Sequence, residues 1–194
     1  MVGIWLIATS CATTYHTISP KTLPYVGLNS QDAVAAGYRH HLLLESYNKR
    51  YYRKATKNNL SLVAVKVVNQ TNRPVVVQRD VALLQSGKKL QIVEREAVYK
   101  TLKQHLIGYF LYALQPRISE KYDYPLEIDR IPIGVPIGFV NIAIGFKANR
   151  SFEEELINHD LVNRQIQPGE TFYGIIGIKD SDFGPITLQF IDLE

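Results

Sequence analysis

The sequence predicts a mainly β fold, an antiparallel β-sandwich carrying a helical, apolar insertion. Three observations point there. About seven short segments rich in β-branched and aromatic residues are separated by turn-forming pairs, the pattern of a sandwich. The stretch from about 94 to 161 abandons that pattern for helical spacing and a glycine- and proline-notched apolar run. The 194 residues are 46% hydrophobic and 21% charged, enough for a single core and too apolar for a disordered chain. The expected layout is a signal-like segment at 1–11, a tether at 12–30 and one sandwich domain at 31–194.

Met1–Cys11 has no charged side chain and runs through Ile4-Trp-Leu-Ile7 to the small residues Ala8-Thr9-Ser10 before the only cysteine. It has the apolar core and small-residue end of a secretory signal but not the basic start, which an earlier initiation site would supply. Ala8-Thr9-Ser10-Cys11 resembles a lipobox, with Ala8 where leucine is usual. The resemblance implies cleavage before Cys11 and acylation of that residue, with enough acyl chains for stable anchoring. The competing reading makes Cys11 a buried thiol of a cytosolic protein. A single cysteine rules out an internal disulfide framework. Ala12-Thr-Thr-Tyr-His16 lacks the acidic cluster of surface-export signals in Bacteroides-type lipoproteins, which implies a protein facing the periplasm.

Thr, Pro and Gly make Ala12 to about Asn29 a tether, followed by a short helical turn at Gln31–Gly37 and a strand at Tyr38–Tyr47. His40 and His41 would point to opposite faces of that strand and so do not share a metal. Asn48–Lys57 reads as a helix bearing Lys49, Arg50, Arg53, Lys54 and Lys57 around Tyr51 and Tyr52. Anionic lipid is its candidate ligand, against a solvated face over packed tyrosines; nucleic acid does not fit an envelope protein. Leu60–Val68 is the clearest strand, with Val63, Val65 and Val67 on one face and Lys66 on the other. Short strands follow at Val75–Val77, Val81–Gln85 and Leu90–Val93, with Ser86-Gly87 closing a hairpin. Thr171–Lys179 and Ile186–Asp192 are expected to pair as the terminal strands.

In the insertion, Val98, Leu102, His105 and Tyr109 recur as one face of a helix over Glu94–Leu114. Ile131–Phe146 holds Pro132, Gly134, Pro136, Gly138 and Gly145. It falls short of the ~18 apolar residues of a spanning helix, and its prolines would leave backbone groups unpaired in lipid. It is predicted as an extended segment turning helical from about Phe139. Ser151-x-x-Glu154 is read as a capping box that starts a second helix. The block caps the sandwich, or alternatively dips into a membrane or contacts another copy.

Candidate chemistry is thin. The histidines at 16, 40, 41, 105 and 159 have no metal-binding spacing, and no nucleophile elbow, phosphate loop or dinucleotide fingerprint is present. His105 is expected in a core or rim. Asp180-Ser-Asp182-Phe-Gly184 reads as a turn and not as a Ca²⁺ loop. No catalytic residue, metal ligand or cofactor is assigned.

Cys11, together with Ile166-Gln-Pro-Gly-Glu-Thr-Phe-Tyr-Gly-Ile-Ile-Gly177 preceded by Ala148-Asn149 and Phe152, resembles the small envelope lipoproteins of Bacteroides-type bacteria. Leu60–Asn72 and Pro168–Phe190 are similar to their immunoglobulin-like domains. The resemblance implies an immunoglobulin-like sandwich and carries no active site that could be transferred. The expected function is that of a non-enzymatic, lipid-anchored envelope protein, in the outer membrane. Its partner, a protein or a second copy, would meet a surface built from Val98, Leu102, His105, Tyr109, Gly134, Gly138 and Phe139. A carrier of a small apolar ligand is the alternative, and an enzyme is the weakest reading.

Overall fold

The structure, a computed structural model, describes residues 12–31, 34–40, 47–109, 134–162, 164–179 and 186–191. Cys11, His41 and the Asp180–Gly184 turn lie outside them. Helix makes up 35% and strand 31%, so strand does not predominate, and the sheets are antiparallel. The chain divides into two units: Met1–Thr14 with Gln104–Arg150, and Tyr15–Lys103 with Ser151–Glu194.

The larger unit is built on one long strand. β1 (Val26–Gln31), β2 (Val34–His40), α1 (Lys49–Lys57), β3 (Leu60–Asn69), β4 (Val75–Val76), β5 (Val81–Gln85), β6 (Lys88–Lys89) and β7 (Ile92–Val93) lead to α2 (Arg95–Leu102). The last turns of α3 (Gly134–Asn158) follow, then β8 (Gln165–Ile166), β9 (Thr171–Lys179) and β10 (Ile186–Phe190). The largest sheet runs β1-β2-β3-β9-β7, beside a β10-β5-β6 sheet and a β4-β8 pair.

β3 reads Leu-Ser-Leu-Val-Ala-Val-Lys-Val-Val-Asn and is buried on both faces, which explains its nearly unbroken apolar run. Val63, Val65 and Val67 enter a core with Ile176 and Ile178 of β9, Val81 and Leu83 of β5, and Ile186 and Leu188 of β10. Leu60, Leu62 and Ala64 point the other way, into a core with Tyr51 and Ala55 of α1, Val98 and Leu102 of α2, and Phe152 and Leu156 of α3. Each such aliphatic side chain contributes about 1.5–3 kcal/mol by leaving water. At one end of β3, Asn69 is fully buried; its Nδ2 donates to the Arg73 and Ile166 carbonyls, each at 2.8 Å, and so joins two turns. Ser86 (φ 51°) and Gly87 (φ 78°) form the β5–β6 hairpin, with Gln85 opposite Lys88.

Several expectations are corrected. Val26–Gln31 is a strand and not tether, and Gln31–Gly37 is not helical: β1 and β2 pair with Gln31 opposite Val34. The tether expected at 12–30 is not free from Tyr15 onward, because Tyr15, Ile18, Leu23 and Tyr25 pack against the helical core. The terminal strands do not pair with each other. β9 lies between β3 and β7, and β10 pairs with β5, Phe190 opposite Val81.

The helix predicted over Glu94–Leu114 stops at Leu102, where Lys103 turns extended (φ −52°, ψ 149°). The next residue, Gln104, gives its backbone N–H and carbonyl to the Asn149 side chain instead of to a helical ladder. Residues 107–109 are helical again. Conversely, no helix starts at Ser151. It lies within the 25-residue α3, whose Pro136 falls in the first turn, where proline removes no ladder bond. The smaller unit thus opens at Gln104 and closes at Arg150. Residues 94–103 and 151–161, predicted as insertion, belong to the larger unit.

Candidate functional site

In the smaller unit, residues 134–150 of α3 have two unlike faces. Gly138, Asn141, Gly145, Ala148 and Asn149 are buried, and Phe139, Val140, Ala143, Phe146, Lys147 and Arg150 are exposed. The buried face is polar and fully engaged. Asn149 Oδ1 accepts from Gln104 N (2.6 Å) and its Nδ2 donates to Gln104 O (2.9 Å), so one side chain acts as a strand-like partner for a non-helical residue. Gln104, 1% exposed, turns its own amide on Thr13: Nε2 donates to the Thr13 carbonyl (2.6 Å) and Oε1 accepts from Thr13 N (3.3 Å). Tyr109 Oη donates to the same Oε1 (3.0 Å), and Asn141 Oδ1 accepts from Ala12 N (3.4 Å). At Gly145 a Cβ would stand 2.8 Å from Leu106 Cδ2 and 3.0 Å from Tyr109 Cε2, so the missing side chain admits that residue pair.

The opposite face has the reverse character. Phe139, Ala143 and Phe146 follow at i, i+4 and i+7, one stripe of a helix. Phe139 is 63% exposed, Phe146 61% and Val140 57%, while Ile107 of the same unit reaches 83%. Large apolar side chains this open are the feature of the unit that its own packing does not explain.

The residues singled out from sequence do not form one surface. Val98 and Leu102 are 1% and 0% exposed core residues of the larger unit. Tyr109 is buried with its hydroxyl on Gln104, and Gly138 is buried. His105 is exposed, not in a core or rim, because the helix that would have turned it inward has ended. Gly134 is the first residue of α3, and Phe139 lies on the open stripe. Val140, Phe146 and Ile107 were missed. A helix over 134–150 would have put Phe146 two turns from Phe139, but the prolines and glycines argued against a helix there.

The basic helix is α1. Tyr51 and Ala55 are buried, Lys49, Arg53 and Lys57 are exposed, and Arg50 and Lys54 are partly covered. Lys54 Nζ donates to the carbonyl of Lys103, capping α2. Burial first, then the charges of Arg50 and Lys103, hold its pKa below the usual lysine value. Lys54 is therefore a structural cation within this patch.

The larger unit also buries a carboxylate. Glu155, 5% exposed, accepts from Ile18 N (2.7 Å) and Ser19 N (3.0 Å) through Oε1 and from the Tyr15 hydroxyl through Oε2. Tyr15 lies between Tyr51 and Phe152, 5.1 and 5.2 Å between ring centres. Burial, then the Glu155 charge, raises its pKa far above the ordinary tyrosine value. Both carboxylate oxygens hold the residue 15–19 segment, a structural use. Among the described residues no group of three His, Cys, Asp or Glu could hold a metal, and no helix is long and apolar enough to cross a membrane.

A comparison with family models, with curated proteins and with solved structures found no match to this chain.

Proposed function

We propose that this chain is a non-enzymatic, lipid-anchored protein of the bacterial envelope, held by Cys11 in the outer membrane facing the periplasm. In this reading an immunoglobulin-like sandwich is the scaffold and the smaller unit is the contact module. The observation that carries it is the open stripe Phe139–Ala143–Phe146 with Val140 and Ile107, set on a helix whose other face is locked by amide pairs. The sandwich reading is supported by the core that β3 and β9 share with β5 and β10. It is supported too by the antiparallel pairing of β3 with β9, the segments that resemble immunoglobulin-like domains. The buried polar groups of the smaller unit are spent on backbone partners, which favours binding over catalysis.

The anchor is tested by mass spectrometry of the mature N-terminus after expression in a bacterium that matures lipoproteins. The reading expects a chain beginning at Cys11 with diacylglycerol on its sulfur. An uncut chain with a free Cys11 thiol would overturn it.

A further inference from the structure

We infer that the open face of α3 in the smaller unit docks on the surface of an anionic phospholipid bilayer, sinking Phe139 and Phe146 to the level of the acyl-chain boundary. The inference deepens the reading above, on which it rests, by naming the partner of that face.

Charge supports it. Among the described residues of the smaller unit there is no Asp or Glu, and the charged side chains are Lys147 and Arg150, both on the exposed side of the helix. An apolar stripe flanked by cations and free of carboxylates complements a surface of phosphates over hydrocarbon. The stripe stops at Arg150, since Glu153 and Glu154 follow in the larger unit.

Area points away from a second copy. Phe139, Val140, Phe146 and Ile107 together expose on the order of 400 Å² of side chain, about half of what one partner contributes to a stable protein interface. Interfacial insertion has no such threshold, because a few aromatic side chains suffice when a second anchor is present. The length of the helix also fits contact and not spanning: no described helix can cross a membrane.

The test uses the full chain with Cys11→Ser and Phe146→Cys, so that an environment-sensitive nitrobenzoxadiazole dye reports from position 146 alone. Vesicles of phosphatidylethanolamine and phosphatidylglycerol are added. The expected result is a brighter, blue-shifted emission, quenched by lipids carrying a nitroxide on the acyl chain. Adding Phe139→Ser should weaken the apparent affinity about tenfold. Lys147→Glu should weaken it on these vesicles and leave pure phosphatidylcholine vesicles unaffected. Emission that does not respond to vesicles, or responds equally with Phe139→Ser, overturns the inference. So does a shift that follows protein concentration without lipid, which would mark a self-association surface. Failure of the anchor is separately visible, as a free Cys11 alongside a dye that still enters the bilayer.

Discussion

Glu155 is the side chain whose loss should be felt most widely in the larger unit. Replacing it by leucine leaves the Ile18 and Ser19 amides and the Tyr15 hydroxyl without their acceptor. We expect a loss of about 3–5 kcal/mol in denaturant unfolding; a change under 1 kcal/mol would mean that water reaches these groups freely. Tyr15 gives the same site a pH signature. Its pKa is raised in the folded chain, so above about pH 10 the unfolded state gives up a proton that the folded state keeps. Stability is therefore full below that pH and falls as the pH rises further. Tyr25, pushed up to about 12 by burial and by Tyr173, acts in the same direction. Tyr15→Phe should flatten the alkaline fall by nearly one proton in urea titrations between pH 8 and 11, and an unchanged slope would contradict the burial of that hydroxyl. At Gly177 a Cβ would collide with Val98 Cγ2, on a stiff β-branched side chain. Gly177→Ala should therefore destabilise by about 1–3 kcal/mol, with part of the loss recovered by adding Val98→Ala in a double-mutant cycle.

At the level of elements, the smaller unit is organised by side-chain amides that imitate backbone. Asn149→Ala should remove the hydrogen-exchange protection of the Gln104 amide, while protection along β3 stays intact. Loss of protection in both would show a global collapse. These amides also explain what local pattern could and could not reveal. The burial of Val63, Val65 and Val67, the Ser86-Gly87 hairpin and the span of β9 were legible, because alternation and left-handed turn residues are local signals. The end of α2 was not, since the partner that takes Gln104 is Asn149, 45 residues away. Ser151-x-x-Glu154 misled for a related reason: a capping box marks a start only when the preceding residues are not already helical, and here they are. The β9–β10 pairing failed because strand partners are chosen by the shared core, and Ile186 and Leu188 meet Val81 and Leu83 there.

Across the whole molecule, the helical block was recognisable as different from the strands around it, yet its functional face was read from the wrong helix. Val98 and Leu102 carry the same spacing as Phe139 and Phe146, but spacing alone does not say which stripe is covered. The covering side chains come from β3, α1 and the end of α3, all distant in sequence from α2. A protein tied to a bilayer by Cys11 and touching it again through Phe139 and Phe146 would gain in avidity from the second contact, as two weak membrane signals do. The most direct measurement places a photoreactive benzoylphenylalanine at position 146 of the full chain in living cells and identifies what it captures. The account predicts a phospholipid adduct. Capture of a discrete protein, or of a second copy of this chain, would contradict it.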